Sequence, residues 1–150
     1  MESVIDKIGH TPLVEVKRLN PNPKVTLLAK LEYMNPGGSV KDRIAKAMIE
    51  AGEASNQLTR NKTVLEATSG NTGIGLAMVC AAKAYKLLLT MSEAVSIERR
   101  QILQALGAEI RLTPGRLGTD GAIEEAYRLA REHPDIYFMT DQFNNEANWR

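Results

Sequence analysis

The chain has 150 residues, 43% of them apolar, which suffices for one ordinary globular core. With 19 basic and 18 acidic side chains the net charge is +1, so no sign bias points to nucleic acid or to an anionic membrane surface. The single cysteine excludes an intramolecular disulfide framework and a cysteine-based zinc cluster.

The N-terminus, MESVIDKIGH, carries Glu2 and Asp6 and lacks the basic start and apolar run of an export signal. No apolar stretch approaches the ~20 residues that span a bilayer, so a soluble, cytoplasmic protein is expected. Residues 13–17 (LVEVK) and 25–32 (VTLLAKLE) read as two strands around the turn-forming segment LNPNP, a hairpin-like pair. After NPGG, the spacing of Val40, Ile44, Ala47 and Met48 predicts a helix over 40–52, with Ser39 and Asp42 as a capping box. Strand and helix then alternate: strand 63–67, helix 73–85, strand 86–91, helix 96–106, strand 108–113, helix 120–132 and strand 136–139. A strand–helix repeat of roughly 23 to 26 residues implies an α/β fold, a parallel sheet with flanking helices. Ligands on such sheets bind beyond the carboxyl ends of the strands, here the loops 68–72, 92–96 and 114–119.

Two segments could carry chemistry. In NPGGSVKDR, residues 35–43, Lys41 falls in the first turn of a helix, where the positive end of the dipole disfavours an ammonium and favours a neutral, nucleophilic amine. Gly37 and Gly38 would let a planar ligand approach the backbone. Taken alone, the segment also fits a solvated lysine after a glycine turn. In ATSGNTGIG, residues 67–75, a strand-to-helix junction offers short polar side chains, Gly70 and free amides, a cradle for a carboxylate or phosphate. It matches neither GxxxxGK[ST] nor GxGxxG, and a well-capped helix start is its plain alternative. His10 and His133 lack a ligand cluster and read as surface or turn residues; no metal is expected. Cys80 reads as buried, inert packing, and Met34, Met48, Met78, Met91 and Met139 as core gap-fillers. The mixed charges Glu124, Glu125, Arg128, Arg131 and Glu132 read as a solvated helix face.

Together, in this order and about thirty residues apart, the two segments closely resemble the cysteine synthase (O-acetylserine sulfhydrylase) family of fold-type II pyridoxal-phosphate enzymes, with cystathionine β-synthase a near relative. The resemblance runs through IGHTPLV, LAKLEYMNPGGSVKDR, LEATSGNTGIGLAMV, MSEAVSIERRQILQALGAEIRLTPG and DQFNNEAN. Related dehydratases carry phenylalanine and histidine where Val40 and Thr72 stand, which favours the synthase branch. The resemblance implies a tryptophan-synthase-β-like fold and pyridoxal 5'-phosphate held by Lys41 as an internal aldimine, with Lys41 also the base at the substrate α-carbon. It implies that Asn71 hydrogen-bonds the ring 3-oxygen, and that Thr68, Ser69, Gly70, Thr72 and Gln142 hold the substrate α-carboxylate. The implied reaction forms L-cysteine from O-acetylserine and sulfide through an aminoacrylate, with cystathionine or another β-substituted alanine as the alternative product.

Asp120 stands where many relatives carry a basic residue, which alters the charge at the site entrance. Family members are roughly twice as long, and their second half supplies the loop that grips the cofactor phosphate and most of a second domain. The chain is therefore expected to be an N-terminal half, with a core α/β domain over about 35–150 and strands 13–32 belonging with the second domain. Weak cofactor binding and a homodimer, or association with a full-length or second-half chain, follow as expectations. An inactive association module is the reading from another class.

Overall fold

The computed structural model describes residues 2–149. Near the N-terminus, β1 (Leu13–Glu15) and β2 (Leu28–Lys30) form a separate antiparallel pair, with Leu13 opposite Lys30 and Glu15 opposite Leu28. Both are shorter than expected: one further bond, from Val16 N to Leu27 O (2.9 Å), extends the ladder before LNPNP turns the chain. The hairpin itself is as the sequence predicts.

From Lys41 onward the chain alternates helix and strand: α1 (Lys41–Ala54), β3 (Thr63–Ala67), α2 (Asn71–Lys83), β4 (Lys86–Ser92), α3 (Ile97–Ala105), β5 (Glu109–Thr113), α4 (Gly118–Glu132) and β6 (Tyr137–Met139). The four strands β3 to β6 make one parallel sheet in the order β5-β4-β3-β6. Side-chain alternation along the strands divides the core between the two faces. Val64, Leu87, Leu89 and Met91 pack with Ala45 and Ile49 of α1, Leu76 and Val79 of α2 and Leu103 of α3. Leu65, Ala67 and Leu88 face the other way, onto Ala122, Ala126 and Leu129 of α4.

After β3 the chain builds β4 and β5 outward on one side and then returns to place β6 on the other. The order therefore reverses at β3, and in such sheets the crevice at the reversal, beyond the strand ends, is where ligands bind. The loops leaving β3 and β6 meet there.

Two expectations need correction. Met34 is 53% exposed, not a core gap-filler, because the turn around Glu32–Met34 carries it outward. The Ser39–Asp42 capping box does not form: Ser39 Oγ accepts from Lys41 N (3.1 Å), while Asp42 Oδ2 reaches back to Gly37 N (2.5 Å). Asp42 thus ties helix α1 to the glycine turn rather than to Ser39.

Candidate active site

The lysine turn is built from Asn35 to Lys41. Gly38 N donates to Asn35 O (2.8 Å), and Gly38 has φ +83°, a conformation that glycine adopts without the cost a side chain would add. Lys41 follows as the first residue of α1, half-buried. Arg43, two residues on, grips Glu32 through two bonds (Nε to Oε2 2.7 Å, Nη2 to Oε1 2.9 Å) and Gly9 O through a third (2.8 Å). Glu32 also accepts from Thr11 Oγ1 (2.8 Å) and Asn35 Nδ2 (3.0 Å), and Asn35 Oδ1 accepts from Gly9 N (2.9 Å). The hydrogen bond from Arg43 leads in holding the Glu32 carboxyl down at about 2, well below its ordinary value. This network fixes the turn that carries Lys41 to the N-terminal segment and to β2.

The second motif, Thr68 to Thr72, leaves β3 and enters α2, which starts at Asn71, two residues earlier than the apolar spacing predicts. Thr68 N pairs with Thr90 O (3.1 Å), Gly70 N with Thr68 Oγ1 (3.3 Å), and Gly73 N with Gly70 O (2.9 Å). Among the described residues the backbone amides of Ser69, Asn71 and Thr72 have no hydrogen-bond acceptor. Three free amides at the start of a 13-residue helix form an anion-binding geometry. A groove of about 190 Å³ opens beside Ser69, Gly70 and Asn71 and is bounded by Ile74, Arg99, Ile102 and Leu103. A larger hollow of about 630 Å³, between the end of α1 and the segment after β6, is lined by none of the candidate cofactor- or substrate-binding residues.

The structure brings the two motifs together. A Cβ placed on Gly75 would lie 3.1 Å from Lys41 O and 3.3 Å from Asp42 Cα, so the first turns of α1 and α2 are in close contact. Gln142, in the loop after β6, also joins: its Oε1 accepts from Thr72 Oγ1 (2.9 Å). Lys41, Thr68, Ser69, Gly70, Asn71, Thr72 and Gln142 all belong to elements that meet at the reversal point of the sheet. Asp120, exposed in the first turn of α4, stands on the opposite face of the sheet from α1 and α2.

Glu66 escaped the sequence reading. It is 1% exposed in the interior strand β3, and burial pushes its carboxyl above the ordinary value. A lone acid inside the apolar run of TVLEA was the available signal. Cys80 is buried as expected, its thiol pushed up to about 12 by desolvation. His10 and His133 are exposed, and Arg128 pairs with Glu125 and Glu132 along the open face of α4. Among the described residues no helix is long and apolar enough to cross a membrane.

Residues 4–150 match the family model described as pyridoxal-phosphate dependent enzyme. A cysteine synthase from a Flavobacterium species is 52% identical over 147 residues, covering 98% of this chain and 47% of the relative. The crystal structure of the cysteine synthase of Entamoeba histolytica superposes with a TM-score of 0.91 at 38% identity, over 99% of this chain and 45% of that one. A hydrogen sulfide-producing enzyme of Fusobacterium nucleatum gives 0.87 at 44% identity, over 99% and 48% respectively. The chain thus spans about half the length of the curated relatives it matches.

Proposed function

Since the chain belongs to the pyridoxal-phosphate dependent enzyme family, we propose that it carries the lysine and substrate-carboxylate half of an enzyme that exchanges the β-substituent of an activated serine. The proposed reaction is that of O-acetylserine with sulfide, giving L-cysteine and acetate. The observation that carries this reading is the packing of the first turn of α1 against that of α2, which sets the Lys41 turn beside a loop with three free amides.

The residues fit the aldehyde and ring end of the cofactor. Pyridoxal phosphate needs an amine, backbone open to a flat ring, and a donor for the ring oxygen. Lys41 supplies the amine. Among the described residues, no heavy atom beyond the adjacent residues lies within 4 Å of where a Cβ would stand on Gly38 or on Gly70, so the backbone is open at both. Asn71, exposed at the head of α2, supplies a side-chain amide for the ring 3-oxygen. When bound, the cofactor supplies an electron sink that lets the α-proton of an amino acid leave. Lys41 Nζ would hold the cofactor and then take up and return that proton. Thr68, Ser69, Gly70, Thr72 and Gln142, with the free amides, would hold the α-carboxylate and so fix which bond at the α-carbon is presented to Lys41.

Sulfide as the second substrate is supported by relatives named cysteine synthase. Cystathionine formation uses the same residues with a bulkier thiol. The exposed apolar hairpin β1–β2 is read as the part that docks onto the remaining length of such enzymes or onto a second chain.

Borohydride reduction of the chain with pyridoxal phosphate, followed by peptide mapping, tests the assignment. The label is expected on Lys41 and to vanish in Lys41→Ala. Label on Lys30, Lys46 or Lys83 instead would overturn it.

A further inference from the structure

Glu66 takes no part in the chemistry proposed above, yet it is the buried acid closest in sequence to the carboxylate loop. Its Oε1 accepts from Ala67 N (2.9 Å), and its Oε2 accepts from Thr140 Oγ1 (2.6 Å) and from Gln142 N (3.0 Å). Burying a carboxylate is costly, and an apolar side chain of similar volume would fill the same core space. The hydrogen bonds that recover this cost go mainly to one short segment, residues 140–142.

That segment is held under strain. Asp141 has φ +49°, a left-handed conformation that a non-glycine residue adopts at a cost. It lies between the two groups that donate to Glu66 Oε2. On its far side Gln142 O accepts from Asn148 Nδ2 (2.6 Å). The Gln142 backbone is therefore clasped at its N–H by Glu66 and at its C=O by Asn148. Its side chain then has one fit: Oε1 accepts from Thr72 Oγ1 (2.9 Å) and Nε2 donates to Ala67 O (3.4 Å). The flipped amide would set oxygen against the Ala67 carbonyl. With one Nε2 hydrogen used on Ala67 and the Thr72 proton committed to Gln142, the second Nε2 hydrogen remains a donor on a side chain held against the start of α2.

We propose that Glu66 is a positioning residue: by clasping the loop after β6 it sets Gln142 against Thr72, completing the carboxylate-binding edge of the site. The inference rests on the reading of residues 68–72 and 142 as that edge. It runs against simple electrostatics, because a negative charge behind an anion site disfavours the anion. Removing the charge would by Coulomb interaction alone tighten binding, whereas loss of positioning weakens it.

The opposite signs make the test. The isotope-labelled chain is titrated with sodium acetate at constant ionic strength, following the amide signals of Ser69, Asn71 and Thr72. In Glu66→Gln, an amide nitrogen replaces one oxygen and faces a donor, so acetate binding should weaken about threefold to tenfold, the worth of one hydrogen bond. Gln142→Ala should weaken it comparably, and the double variant no further than Gln142→Ala, since Glu66 acts through Gln142. Unchanged or tighter binding in Glu66→Gln, or additive losses in the double variant, overturns the proposal. Should Glu66→Gln fail to fold, Asn148→Ala releases the other side of the clasp: weaker acetate binding supports the positioning, and unchanged binding overturns it. If acetate moves none of the three amides in the unaltered chain, it is the carboxylate reading that fails. The Gln142 side-chain NH2 signals then decide the positioning: displaced from those of a free glutamine in the unaltered chain and returned to them in the variant supports it, unchanged between the two overturns it.

Discussion

Glu32 and Asp42 sit on either side of the lysine turn and respond to acid in opposite senses. Glu32, hydrogen-bonded foremost by Arg43, is held at about 2 against an ordinary value of 4.5, so its native form binds protons less readily than the unfolded chain. Its contribution to stability is in place above pH 4.5 and is lost as pH falls through about 2. Asp42 is buried, among the described residues its Oδ1 has no hydrogen-bond partner, and desolvation raises its carboxyl. Its native form binds protons more readily, so it disfavours the fold increasingly as pH rises through its raised value. Glu66, raised by burial, has the same sign. A melting series therefore separates them: the stability advantage of the unaltered chain over Glu32→Gln should be full at neutral pH and shrink between pH 4.5 and about 2. An advantage independent of pH across that window would mean that Glu32 acts by packing and not through its charge on Arg43.

At the scale of elements, the site depends on how closely α1 and α2 approach. Gly75 has Ala45 Cβ and Lys41 O each 3.1 Å from where its own Cβ would stand. Two of the three nearest atoms are backbone of α1 and cannot rotate away. Gly75→Ala gains helix propensity of up to about 1 kcal/mol but incurs crowding of about 1–3 kcal/mol, so a net loss of about 1 kcal/mol is expected by urea unfolding. Because the crowding falls on Lys41 and Asp42, trapping of pyridoxal phosphate by borohydride should slow more than the stability change explains. Equal trapping would show that the helix approach does not set the lysine. Periodicity located every one of these helices to within a few residues, since Ile44, Met48 and Ile49, or Leu76 and Cys80, are apolar at helical spacing. It missed the true start of α2 because Asn71 and Thr72 are polar and enter the helix by their backbone. It missed Glu66 because counting apolar side chains treats an acid as a surface residue. The contact between Thr72 and Gln142 spans 70 residues and exists because β6 lands beside β3, which local spacing does not encode; only the resemblance to a family pointed to Gln142.

For the molecule as a whole, the parallel sheet is covered on both faces while the β1–β2 hairpin is not. Leu13, Leu19 and Leu28 are 59%, 80% and 51% exposed, and Val25 and Leu27 are exposed beside them. Among the described residues neither strand has a second neighbour, and a two-stranded pair is marginal in water. What anchors it is polar: Lys30 donates to Thr11 O, Leu31 N to Pro12 O (3.0 Å), and Thr11 joins the Glu32–Arg43 pair. These bonds fix the base of the hairpin and leave its apolar faces and unpaired edges open, the arrangement that invites edge-to-edge pairing. A net charge of +1 offers little repulsion against it. Sedimentation velocity should therefore show self-association that grows with concentration. Leu28→Lys removes an apolar face and places a cation opposite Glu15, a cross-strand pairing that supports the hairpin register. The variant should sediment as a smaller species at the same concentration with its melting temperature unchanged. A chain that remains monomeric when concentrated, or a variant that associates as strongly, would show that the hairpin is not the surface through which copies meet.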